Sequence, residues 1–109
     1  KKLVIGGIFN RPLNNLPNTL TYLHLGHDYD QMLDNLPESL EKLEFGIKFN
    51  QPLNNLPAGL KKLYLGWYFN QPLYNLPLGL THLFLSTMFN HKLENLRIQL
   101  KDKLFVFFL

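Results

Sequence analysis

One motif recurs at a fixed interval through five copies without slipping, and it decides what the chain can fold into. Aromatics recur at Phe9, Tyr29, Phe49, Phe69 and Phe89, and each is followed by Asn10, Asp30, Asn50, Asn70 or Asn90. Leucine columns follow at Leu13 to Leu93, Leu16 to Leu96 and Leu20 to Leu100, with asparagine at Asn15, Asn35, Asn55, Asn75 and Asn95. Proline stands at Pro17, Pro37, Pro57 and Pro77, and Arg97 breaks that column. A Leu-x-Leu element then closes each unit: Leu3/Ile5, Leu23/Leu25, Leu43/Phe45, Leu63/Leu65 and Leu83/Leu85. Glycine ends it at Gly6, Gly26, Gly46 and Gly66, with Ser86 in the last copy.

Alternation with period two marks the Leu-x-Leu element as a β-strand with one face buried. Helix is excluded from the rest of the unit by proline, which occurs at Pro12, Pro52 and Pro72 as well as before each strand. An interior proline costs a helix about 3 kcal/mol, and the residue before it is pushed toward extended conformations. The expected fold is therefore a β-rich, leucine-rich-repeat-like solenoid. It is a right-handed coil with one short parallel strand per 20-residue repeat and extended or 3₁₀ return segments. One coil cannot bury its own leucines; stacked coils can. Glycine is expected to permit a sharp bend after the strand. The first asparagine column, Asn10, Asn50, Asn70 and Asn90, is expected to form a structural ladder that bonds the backbone of neighbouring coils. Asp30 lacks the amide donors and is expected to weaken it. The second column, Asn15 to Asn95, is expected to serve a turn.

At the C-terminal end the pattern changes. Lys103 falls where leucine belongs, but Leu104 and Val106 fit if one residue is inserted. A last strand over 104–109 is expected to cover the open end of the core. The whole of 1–109 reads as a single repeat domain of about five repeats, part of a longer chain.

Written as Leu-x-x-Leu-x-Leu-Gly-x-x-Phe-Asn-Gln-Pro-Leu-x-x-Leu-Pro, the unit resembles the FNIP repeat. Leu60 to Pro77 is the best copy, and the Phe-Asn-Gln-Pro-Leu string recurs at 49–53 and 69–73. The isoleucine of the family's name is leucine here, at Leu16, Leu36, Leu56 and Leu76. The resemblance implies a solenoid related to the leucine-rich repeat, in a family known mainly from slime moulds and giant DNA viruses. It also implies the substrate-recognition part of an F-box adaptor, although no F-box lies in these 109 residues.

Composition narrows the functional classes. Cysteine is absent, which removes disulfides and thiolate metal sites, and no apolar run is long enough for a membrane helix. The two serines, Ser39 and Ser86, lie outside any nucleophile-elbow context, so the chain reads as no enzyme, with no cofactor. His24-x-x-His27-Asp28-x-Asp30 can be drawn as a metal site, but a strand running into a turn does not gather those side chains, and no metal is expected. Basic residues interleave with aromatics but lack the clustered arginines usual for phosphate binding, which argues against nucleic acid. Six of the eight acids lie between Asp28 and Glu44, while none occurs from Phe45 to Leu93. Such segregation can steer a charged partner.

If the strand leucines point inward, the alternate residues face out: Lys2/Val4, Tyr22/His24, Lys42/Glu44, Lys62/Tyr64 and His82/Phe84. These vary from coil to coil while the core columns do not. The candidate partner-binding residues are Tyr22, Lys62, Tyr64, Trp67, His82 and Phe84, since large aromatics beside cations make typical interface anchors. A surface carrying Gln31, Gln51, Gln71, Asn54 and Tyr74 is a second candidate. The expected role is a protein–protein interaction scaffold, intracellular in the cytoplasm or in a virion. Its partner is a protein, not a nucleic acid, membrane or small molecule. The alternative is a structural or assembly component, for instance of a viral particle.

Overall fold

A computed structural model describes residues 1–93 and 104–109. Six strands form one sheet: β1 (Lys2–Ile5), β2 (Tyr22–Leu25), β3 (Lys42–Glu44), β4 (Lys62–Tyr64), β5 (His82–Leu85) and β6 (Phe105–Phe108). They pair in chain order, every pair parallel. No helix occurs among the described residues. The chain is a β-solenoid of the leucine-rich-repeat type, as its period requires.

Register follows the period. Leu3, Leu23, Leu43 and Leu63 stand opposite one another, and Leu63 stands opposite Leu83. Leu23, Leu43, Leu63 and Leu83 are fully buried, with Leu20, Leu40, Leu60 and Leu80. Burying such a side chain contributes roughly 1.5–3 kcal/mol, and stacking is what makes that burial possible. The aromatic column forms the other wall of the core. Ring centroids lie 6.1 Å apart for Phe9 and Tyr29 and for Phe49 and Phe69, and 6.2 Å apart for Phe69 and Phe89.

Among the described residues the return segments contain isolated β-turns and no 3₁₀ helix. Leu20, Leu40, Leu60 and Leu80 each donate their N–H to the carbonyl of the proline three residues earlier, at 3.0–3.2 Å. Asn15, Asn35 and Asn75 adopt φ of 58°, 58° and 51°, a left-handed conformation that asparagine tolerates better than most residues. Asn95 lies outside the described residues.

One expectation is refined and two are corrected. The glycines after the strands lead into the expected turns, but with no positive φ; what Gly26, Gly46 and Gly66 provide besides is room. A Cβ on Gly26 would sit 2.7 Å from the Gly6 carbonyl oxygen, and on Gly46 or Gly66 still closer to the carbonyl of the coil before. The β6 register also differs. Val106 stands opposite Leu83, at the place where an unbroken period would put Lys103, so the insertion is of three residues, not one. Finally, the asparagine ladder runs on its acceptor. Asn10 Oδ1 accepts the Asp30 N–H, Asp30 Oδ1 the Asn50 N–H, Asn50 Oδ1 the Asn70 N–H and Asn70 Oδ1 the Asn90 N–H, all at 2.8–2.9 Å. Aspartate offers the same oxygen, so Asp30 leaves no gap.

Candidate functional site: an aromatic groove on the sheet face

Two columns of side chains stand outward from the sheet. One contains Tyr22, Lys42, Lys62, His82 and Phe105; the other His24, Glu44, Tyr64, Phe84 and Phe107. At the N-terminal side they form a polar knot. The Tyr22 hydroxyl donates to Glu44 Oε2 at 2.8 Å, and His24 Nδ1 lies 2.5 Å from the same oxygen. Burial raises the Glu44 carboxyl, but the bonds from Tyr22 and His24 and the charges of His24 and Lys42 outweigh it and hold it below the usual range. Burial first, then its bond to Glu44 and the charge beyond it, pushes the Tyr22 phenol up to about 12. Lys42 Nζ lies 4.7 Å from the Tyr22 ring centre and 5.0 Å from that of Tyr64, a cation–π position between two rings.

Toward the C-terminal side the face becomes aromatic. Tyr64 and Phe84 stack at 4.1 Å, Phe84 and Phe107 at 4.8 Å, and His82 lies 6.0 Å from Phe107. Beyond the strand ends Trp67 projects, 47% exposed. A groove of about 410 Å³ opens here, bordered by His24, Glu44, Phe45, Tyr64, Leu65, Gly66, Trp67, Phe84, Ser86 and Leu109.

Of the six residues singled out in the sequence, the groove gathers Tyr64, Trp67 and Phe84. Tyr22 belongs to the polar knot, His82 stacks above Phe84 and Phe107, and Lys62 is solvated away from the groove. His24, Glu44 and Phe107 were not among the six. Alternation already turned His24 and Glu44 outward, but only the cross-strand bond shows what they do together. Phe107 depended on the three-residue insertion before β6. On the second candidate surface, Gln31, Gln51 and Gln71 each donate through Nε2 to the ladder residue one coil earlier, at 3.0–3.3 Å, while Asn54 and Tyr74 stay exposed.

Ser86, His24 and Glu44 all border the groove. Ser86 follows β5 and His24 sits on β2, three strand spacings apart, or about 14 Å, so they make no nucleophile–base pair. Ser86 Oγ instead accepts the Met88 N–H at 2.9 Å. His24 turns to Glu44, while His27 Nδ1 lies 2.7 Å from Asp28 Oδ1. No group of three metal-binding side chains forms among the described residues. The His27 bond, with Lys48 3.6 Å from the same carboxylate, holds Asp28 below its ordinary pKa.

The FNIP Repeat profile matches residues 9–48 and 49–88. The chain belongs to the FNIP repeat family. Its 20-residue units therefore carry that family's Phe-Asn and Leu-Pro positions through the columns described above. Among solved structures, this FNIP chain is similar to the crystal structure of a novel circular LRR protein, CroV588, with a TM-score of 0.80 and 34% identity. That match covers 98% of this chain and 17% of the CroV588 chain. No curated protein matches the sequence.

Proposed function

We propose that this FNIP chain is a protein-interaction scaffold that engages its partner through the sheet face around Tyr64, Trp67 and Phe84. The groove carries the reading. Large aromatic side chains stand on the outer face of the sheet, Tyr64 and Phe84 half-buried and Trp67 exposed, at a place where neither core packing nor backbone bonding requires them. Rigid aromatics lose little side-chain entropy on binding and bury much area, and truncating such anchors often costs about 2 kcal/mol or more of affinity. Within a longer chain, such a face is suited to the substrate-recognition role that an F-box adaptor needs.

Photo-crosslinking tests this. With Trp67 replaced by a photoreactive phenylalanine, a discrete cellular protein is expected to crosslink, and the same substitution at Tyr74, on the far surface, is expected to yield none. Tyr64→Ala, Trp67→Ala and Phe84→Ala together are expected to abolish capture, while Tyr74→Ala with Leu78→Ala retains it. The reverse pattern would place the binding face elsewhere.

A second reading draws on the similarity to a circular LRR protein. In it, this stretch is one section of a longer closed solenoid, and its role is architectural. Small-angle scattering of the full-length protein discriminates: a hollow, ring-like profile favours closure, an elongated monomer the adaptor.

A further inference from the structure

Both groups bound to the Glu44 carboxylate converge on one oxygen. Oε2 takes the Tyr22 hydroxyl and faces His24 Nδ1, whereas Oε1 has no hydrogen-bond partner among the described residues. Glu44 borders the groove, so its half-used carboxylate stands at the mouth of an apolar channel. Lys42, close to it in sequence, does not fill the gap. Its ammonium is held over the Tyr22 and Tyr64 rings, and no lysine or arginine forms an ion pair with Glu44 among the described residues. A partly dehydrated carboxylate with a free oxygen favours a charged donor above any other ligand group.

The spacing of the strands sets what else that ligand carries. Glu44, Tyr64, Phe84 and Phe107 occupy the same column on β3, β4, β5 and β6. Strands lie about 4.8 Å apart, so Phe84 is about 10 Å and Phe107 about 14 Å from Glu44 across the sheet. An extended chain spans about 3.3–3.6 Å per residue and covers those distances in about three and four residues.

We infer that the groove binds an extended peptide segment in which a lysine or arginine stands three or four residues from a large apolar residue. The cation reaches Glu44 Oε1, its methylene stem lies along Trp67 and the outer edge of Tyr64, whose ring faces Phe84 and Lys42 already occupy, and the apolar residue rests on the outer edges of Phe84 and Phe107. This rests on the reading that the sheet face binds protein, and it specifies the partner's chemistry.

Panning a phage library of random dodecapeptides on the immobilised chain tests it. The enriched peptides are expected to share a basic residue and an apolar one at that spacing. A synthetic arginine-containing representative should bind Glu44→Gln at least about tenfold more weakly. Replacing its arginine by citrulline should weaken binding to the unaltered chain by a similar factor, and that arm does not depend on any variant folding. The two changes combined should lose little more than either alone. Enrichment of acidic peptides, no enrichment over bare matrix, or peptides indifferent to Glu44→Gln and to citrulline would each overturn the inference. If such indifferent peptides are still lost with Trp67→Ala and Phe84→Ala, the interaction face stands without the cation. If they survive those substitutions too, the face itself is wrong.

Discussion

Tyr64 and Phe84 lie face to face on adjacent strands, their ring centroids 4.1 Å apart and their planes 3° from parallel. Isolated aromatic rings prefer an offset or edge-on approach. The parallel register of β4 and β5 sets this stacking by placing the two residues directly opposite. Alanine at either position is expected to lower stability by about 0.2–1 kcal/mol. A double-mutant cycle in urea should give a coupling of about 0.5 kcal/mol, at the low end for aromatic pairs. A coupling well above the usual ceiling of about 1.5 kcal/mol would mean that the pair is chiefly structural, which would weaken its case as an interface.

The glycine column offers a sharper contrast. Gly66→Ala would drive a methyl group into the Gly46 carbonyl, whereas around Gly6 a Cβ meets nothing within 4 Å. Overpacking of this kind costs about 1–3 kcal/mol, so Gly66→Ala should move the denaturation midpoint clearly and Gly6→Ala hardly at all. Equal shifts would return the glycines to a purely conformational role.

These glycines show what was legible in the sequence. The columns Leu23–Leu83 and Phe9–Phe89, repeated in one-dimensional register, specify coil, sheet and core, because only stacking buries them. A column of glycine is equally visible, but the sequence does not say whether backbone freedom or close approach requires it; that depends on a carbonyl in the preceding coil. The candidate site was legible only in part, for the same reason. Alternation turns Tyr64 and Phe84 outward, yet the use of Glu44 rests on which oxygen Tyr22 and His24 reach. Phe107 joins the face through an insertion that no repeat announces.

Tyr29 occupies a column otherwise filled by phenylalanine and is fully buried. The backbone of Leu13 lies near enough to its hydroxyl to act on its ionisation, but no hydrogen bond of normal geometry reaches it among the described residues. An unsatisfied buried polar group costs about 1–3 kcal/mol. Tyr29→Phe is therefore expected to raise the melting temperature, and a clear loss of stability would reveal a partner for the hydroxyl.

In the ladder, Asn50 Oδ1 accepts from both the Asn70 N–H and Gln71 Nε2. Asn50→Asp keeps the acceptor, as Asp30 does naturally, and should be tolerated. Asn50→Ala should cost about 0.5–1.5 kcal/mol. Gln71→Ala removes two bonds of 3.2 Å at a partly exposed site, so it should cost less but not nothing. If Asn50→Asp proves as damaging as Asn50→Ala, the amide donors matter and the acceptor account fails.

The polar knot makes stability depend on pH with a definite sign. The Glu44 carboxyl is held below its ordinary value of 4.5 in the folded chain. The folded state therefore binds this proton less readily than the unfolded state, and stability rises with pH across the interval between the two values. Its contribution is complete above about pH 4.5 and disappears as the pH falls through the lower, folded-state value. The Tyr22 phenol, raised to about 12 from 10.0, acts in the opposite range: its contribution is present below about pH 10 and lost as the pH climbs toward 12. Thermal melts of the unaltered chain and of Glu44→Gln from neutral to acid pH isolate the carboxylate, because Asp28 and the other acids are common to both. The stability difference should be largest at neutral pH and shrink as the solution is acidified below about pH 4.5. Tyr22→Phe removes a bond that favours the charged form, so it should narrow that difference by moving the Glu44 value back toward 4.5. A difference that stays constant down to about pH 3, well below the ordinary carboxylate range, would mean that the hydrogen bonds at Oε2 do not distinguish carboxylate from amide, and that the knot is held by packing alone.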